Sequence, residues 1–413
     1  MTSSALHLFQ AFGVELEYMI VDAQTLDVLP IADKVMETFT GEPASDVDLG
    51  EISLSNELVM HVIEFKTSSP APALYQLEGK FQDHVRQVNE LLHPMGAMLM
   101  PGAMHPLMNP DVETRIWEHE YTEVYHTFDR IFGCKGHGWS NLQSTHINLP
   151  FSGDEEFSRL HAAIRLILPI LPAIAASSPI VEGKTKLLDS RMDFYQRNSL
   201  RIPSITAGVI PEPVFTEADY RRRIFQRIYQ DIAPFDPEGI MQHEWLNARG
   251  AIARFDRGAI EIRVLDIQEC PRADVAIAWL ITRVLQELVQ ERWVSLEEQK
   301  SWEAEKLRGL FQICIAEGEQ AVICDSDYLR VFHLPQNRAC AGELWRYLLE
   351  QVREGHEQEY RHYREVFEVL MGQGTLARRI LKRLNDCSNK PQIRMVYGEL
   401  CACLQEGKMF VNE

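Results

Sequence analysis

Glu15 and Glu17 sit two residues apart in the run Phe12-Gly-Val-Glu-Leu-Glu-Tyr-Met-Ile-Val-Asp22, and this pair constrains the fold more than any other feature of the chain. Strand periodicity sets both carboxylates on one face and Val14, Leu16, Tyr18 and Ile20 on the other. Neighbouring carboxylates repel unless a cation sits between them. The expected product is a sheet with an apolar back and an acidic front that must meet positive charge. Ala259-Ile-Glu-Ile-Arg-Val-Leu-Asp-Ile267 repeats the arrangement, with Glu261 and Arg263 sharing a face with Leu265 while Ile260, Ile262 and Val264 point the other way. A carboxylate and a guanidinium at that spacing can serve a metal and a phosphate together.

Two further segments extend the pattern. Leu58-Val-Met-His-Val-Ile-Glu-Phe65 carries Glu64 in an otherwise apolar run, with Glu57 upstream at an odd separation. On an ideal strand the two would face opposite ways, so both reach one site only if Glu57 lies at a bulge or a strand edge. In Leu142-Gln-Ser-Thr-His-Ile-Asn-Leu149, His146 shares its face with Ser144 and Asn148. Taken singly, each strand reads equally well as one with a solvated polar face. Taken together, five carboxylates and one imidazole suit a hard divalent cation.

In chain order, Gly13-Val-Glu-Leu-Glu17, Glu57 through Glu64-Phe-Lys-Thr-Ser-Ser-Pro70, Gln143-Ser-Thr-His-Ile-Asn148 and Ile260-Glu-Ile-Arg-Val-Leu-Asp-Ile267 resemble the metal and ATP motifs of glutamate–cysteine ligases, members of the glutamine synthetase-like carboxylate–amine ligases. The resemblance spans roughly residues 11 to 290. It implies an α+β fold with a curved, mainly antiparallel sheet flanked by helices, and ATP with Mg²⁺ or Mn²⁺ as cofactors. It also implies a reaction, one belonging to glutathione biosynthesis if the amine is cysteine. The γ-carboxylate of glutamate takes the γ-phosphoryl group of ATP, and an amine then displaces phosphate. Carried over by residue, one metal falls to Glu15, His146 and Glu261 and a second to Glu17, Glu57 and Glu64, with Arg263 at the transferring phosphoryl group. The metal motifs do not name the acceptor, so a ligase of another carboxylate or amine stays open. So does a catalytically silent nucleotide- or metabolite-binding protein.

Three other places are candidate substrate contacts. Pro101-Gly-Ala-Met-His105-Pro106 resembles a loop near the family's substrate pocket, although glycine and proline there equally make a plain turn. Arg201 and Arg254 offer guanidinium forks that pair with carboxylates. Gly133-Cys-Lys-Gly-His-Gly138 lacks the spacing of a phosphate-binding loop and reads as a loop entering the His146 strand.

With 413 residues, 46% hydrophobic and 24% charged, the chain can bury a large core. The expected division is a catalytic domain over 1–295 and a helical extension over 296–413 packed on it. Helices are expected near Leu74–Leu92, Asp154–Ala176, Glu217–Asp231 and Arg272–Glu291, and almost throughout from Leu296 onward. A formal charge of −19 disfavours nucleic acid and anionic membrane as partners, which leaves small molecules, with a homo-oligomer open. The first ten residues lack the pattern of a signal peptide and no apolar run reaches bilayer length, so a cytoplasmic enzyme with eight free thiols is expected.

Overall fold

The strand that carries Glu15 and Glu17, β1 (Gly13–Asp22), is the spine of an eight-stranded sheet. The structure, a computed structural model, describes residues 5–412. The other strands are β2 (Asp46–Asp48), β3 (Ile52–Asn56), β4 (Val62–Thr67), β5 (Ala97–Met100), β6 (Ser144–Pro150), β7 (Ala251–Arg254) and β8 (Ala259–Asp266). They lie in the order β2-β3-β4-β1-β6-β8-β7, with β5 also on β1, and every pairing is antiparallel. One edge of β1 is shared. β6 pairs with Gly13–Leu16 and β5 with Met19–Asp22, so the sheet forks beside Glu17 and Tyr18.

Alternation explains which face is buried. Val14, Leu16, Tyr18, Ile63, Phe65, Ile147, Leu149, Ile260 and Ile262 join one core under helices α1 (Leu77–Leu92), α2 (Gly153–Ile167) and α3 (Pro271–Val289). Register places Glu15 opposite both Lys66 and His146, Glu17 opposite Glu64, and Glu261 opposite Asn148, all on the other face. The acidic front is thus assembled across β4, β1, β6 and β8. Its mixed helix and antiparallel sheet agree with the α+β expectation.

Two details depart from simple alternation. The register of β8 against β6 shifts between Ile262 and Leu265, so Leu265 pairs with Thr145 and falls on the core side, not beside Glu261 and Arg263 as alternation predicts. Glu57 follows the last residue of β3, whereas Glu64 lies inside β4, so strand parity does not relate them. After α3 the chain is helical apart from a small pair, Val322–Ile323 with Ala339–Cys340. The helices Ala341–Arg353 and Glu357–Gln373 are separated at Gly355, whose φ of 83° suits a residue without Cβ. The core formed by the sheet and α3 continues into these helices through Trp345, Val366 and Phe367. All eight cysteines are unpaired, and among the described residues no helix is long and apolar enough to cross a membrane.

Candidate active site

His146 stands at the centre of the acidic front. Its Nδ1 lies 2.8 Å from Glu15 Oε2 and 3.7 Å from Glu261 Oε1, and its Nε2 lies 2.9 Å from Ser144 Oγ and 3.8 Å from Glu17 Oε1. Glu15 also accepts from Asn148 Nδ2 at 2.9 Å. Glu17 uses the fork in the sheet: where neither β5 nor β6 pairs with β1, its Oε2 accepts from the Ser144 amide at 2.7 Å and the Ser144 hydroxyl at 2.9 Å. Glu64 Oε1 accepts from Ser55 Oγ at 2.5 Å. On β8, Arg263 Nε lies 2.7 Å from Glu261 Oε1, with Arg254 3.9 Å from the same carboxylate.

Two groups of ligand atoms fall within 4.8 Å of one another, Glu15 with His146 and Glu261, and Glu17 with Glu64 and His146. The first has the membership expected from sequence. The second has His146 where Glu57 was expected, and Glu57 instead stands on the wall of the adjoining cleft with Glu17 and His146. Electrostatics show why such a cluster wants positive charge. Burial and the Glu17 charge push the Glu57 carboxyl up to about 8. Burial together with Glu15 and Glu57 holds Glu64 well above the usual carboxylate range. Burial acts the same way on Glu15, yet the hydrogen bond and charge of His146, helped by Arg263, bring it down to about 2. Burial alone would lower His146, and its bond to Glu15 with the charge of Glu17 outweighs that and raises it. Carboxylate oxygens with one imidazole, in pairs that ionise together only at a cost, fit one or two hard divalent cations.

The cluster lies between two cavities. The larger, about 710 Å³, is lined by Glu15, Asn148, Lys66, the turn Thr67–Pro70, Phe151 and Arg257. The smaller, about 280 Å³, is lined by Glu17, Glu57 and His146, by Tyr125, Phe128, Trp139 and Trp245, and by Arg191 and Arg263. Arg191 was not singled out from sequence. It belongs to the short helix Ser190–Tyr195, is nearly fully buried, and pairs through Nε with Asp266 Oδ1 at 2.5 Å. Its one sequence signal is a cation in the first turn of a helix, where the dipole disfavours it unless an anion holds it. Tyr125, Trp139 and Trp245 come from helices and loops with no motif of their own.

Of the other candidates, Arg254 reaches the cluster, while Arg201 and His105 stand apart. Arg201 donates to the Ile131 carbonyl at 2.6 Å and covers the ring of Phe235. His105 is buried, with Nε2 2.7 Å from the Leu26 carbonyl and Nδ1 accepting from the Leu107 amide, so both ring nitrogens are used within the fold. The Gly133–Gly138 loop runs into a short helix, His137–Ser140, and brings Trp139 to the cleft.

Comparison with known proteins places this geometry. The model of glutamate-cysteine ligase family 2 matches residues 11–399. An uncharacterized protein of Archaeoglobus fulgidus is 31% identical over 97% of this chain and 100% of its own length. A Nocardioides protein provisionally named glutamate–cysteine ligase 2-1 is 25% identical over 73% of this chain and 74% of its own. Among solved structures, glutamate–cysteine ligase of Francisella tularensis in complex with AMP superposes with a TM-score of 0.62 at 13% identity, covering 97% of this chain and 90% of that one. At that identity the likeness is one of fold.

Proposed function

Because the chain belongs to glutamate-cysteine ligase family 2, we propose that it is an ATP-dependent carboxylate–amine ligase that activates the γ-carboxylate of glutamate as an acyl phosphate. The observation that carries this reading is the placement of the carboxylate–imidazole cluster between two cavities. A nucleotide in the larger and a carboxylate in the smaller would meet at the acidic front. Phosphoryl transfer between two anions needs neutralisation and alignment more than covalent help. Glu15, His146 and Glu261, with Glu17 and Glu64, would hold Mg²⁺ or Mn²⁺, which supplies positive charge to the phosphate oxygens. Glu57 extends the acidic wall toward the acceptor.

The chain's own cations do the rest. Arg263, paired with Glu261 through Nε, lines the smaller cleft, where the transferring phosphoryl group would gain charge. Arg191, fixed by Asp266, has terminal nitrogens held only by 3.4 Å contacts to the Arg263 carbonyl, which leaves them for a substrate carboxylate. Arg254 steadies Glu261 from the other side. The order of bonds follows: the β–γ bridge of ATP breaks as a carboxylate oxygen takes phosphorus, ADP departs, and the amine later displaces phosphate from carbon.

Glutamate labelled with oxygen-18 in the γ-carboxylate tests the scheme. One labelled oxygen is expected in each released phosphate, read by mass spectrometry. Unlabelled phosphate alongside amide product would rule out the acyl phosphate.

A further inference from the structure

The smaller cleft, about 280 Å³, offers a permanent positive charge for only one free carboxylate. Arg263 is committed to Glu261 and the phosphoryl group, and among the described residues lining the cleft Arg191 is the other side chain with permanent positive charge. Glutamate bound through its γ-carboxylate presents an α-carboxylate, and Arg191 is its partner. An amino-acid acceptor would bring a second carboxylate into the part of the cleft that offers none.

That part is an aromatic box. Phe128 packs against Trp139 at 5.3 Å and against Trp245 at 5.8 Å between ring centroids. Two polar handles of the box have partners outside it. Trp139 Nε1 donates to the Asn198 carbonyl at 3.1 Å, and Tyr125 Oη accepts from Asn56 Nδ2 at 3.0 Å. The lining of the box is mainly aromatic, extended by Leu142 and Ile205, and its remaining polar atoms, the Tyr125 hydroxyl and Trp245 Nε1, are uncharged. Such a wall binds hydrocarbon and ring faces, and it favours an ammonium group over a carboxylate.

We infer that the acceptor is a primary amine bearing an apolar, aromatic-sized group and no carboxylate, an arylalkylamine rather than cysteine. The inference rests on the ligase reading above. In the step it describes, the amine nitrogen attacks the acyl carbon and the C–N bond forms. The C–O bond to phosphate breaks with its electron pair leaving on phosphate, and the two protons shed by the ammonium pass to phosphate and solvent. ATP, already a substrate, supplies the activation.

The test uses the full chain with ATP, Mg²⁺ and glutamate, and varies only the acceptor. Hydroxylamine, small enough to need no subsite, traps any acyl phosphate as the hydroxamate and so reports the ligase reading by itself. 2-Phenylethylamine, phenylalanine and cysteine then probe the box. A kcat/KM for 2-phenylethylamine at least about ten-fold above both amino acids is expected, the smallest discrimination a misfitting group usually brings. Phenylalanine matching 2-phenylethylamine would overturn the exclusion of a carboxylate, and cysteine matching or exceeding it would overturn the aromatic subsite, each with hydroxamate still formed. Absence of hydroxamate as well would overturn the ligase reading and this inference together. As a second check, Trp245→Ala should raise KM for 2-phenylethylamine at least about ten-fold, and Trp245→Phe should restore it. An unchanged KM in Trp245→Ala would remove Trp245 from the subsite.

Discussion

At the scale of single residues, charge decides more than size. Glu261 touches Arg263 and His146 and closes the first ligand group. Glu261→Gln keeps the volume and removes the charge, so ADP release should fall about 10²-fold or more while thermal stability is kept; a coupled ADP assay beside a melting curve checks both. Outside the site, His161 is fully buried and stacked on Phe157 at 5.2 Å, and burial with the Arg165 charge pushes its imidazole down to about 3 from an ordinary 6.5. The unfolded chain takes up this proton as pH falls below 6.5 and the folded chain does not. Its contribution is therefore complete above 6.5 and is lost as pH falls toward 3. By pH 5 the loss from this one group is about 2 kcal/mol, so His161→Phe should gain that much on wild type between pH 7 and 5 in urea titrations. The cluster residues were legible in the sequence because carboxylates at strand spacing are rare company for apolar neighbours. Arg191 and the tryptophans were not, since an isolated arginine or an aromatic in a loop carries no periodicity.

At the scale of elements, β1, β6 and β8 could be read from alternation alone, and α1, α2 and α3 from the turn or capping residues that precede them. The bulge in β8 could not. It is a mismatch between two strands, and neither strand's sequence shows it. For Glu57, strand parity left a bulge or a strand edge open, and the turn leading into β4, without glycine or proline, did not choose between them. The bulge has a partner in Gly250, whose carbonyl accepts from the Arg263 amide at 2.9 Å. A Cβ there would stand 2.6 Å from Val264 and 2.7 Å from Val209. Gly250→Ala should therefore cost about 1–3 kcal/mol, and because Val264 must move with Arg263 beside it, kcat should drop more than nucleotide affinity. Denaturation and equilibrium nucleotide binding separate the two effects.

At the scale of the whole molecule, the last helices close the core from behind. Arg379, on the helix Leu376–Arg383, is fully buried against Glu269, which follows β8, and both also bond the backbone of Phe410. Arg379→Met leaves Glu269 as an unpaired buried charge and should cost about 3–5 kcal/mol by urea denaturation, with Glu269→Gln in the same chain recovering part. We propose that the division near residue 295 marks a change of composition and not of folding unit, because Trp279 on α3 packs against Tyr363 and Phe367 beyond it. The aromatic box has a further use. Of seven tryptophans, Trp117, Trp279 and Trp345 are sealed in the interior, whereas Trp139 and Trp245 border the cleft. The protein therefore carries its own optical probe: light emitted at these two indoles changes colour and intensity as the cleft fills, over a steady background from the others, so occupancy can be followed in an unlabelled sample in real time.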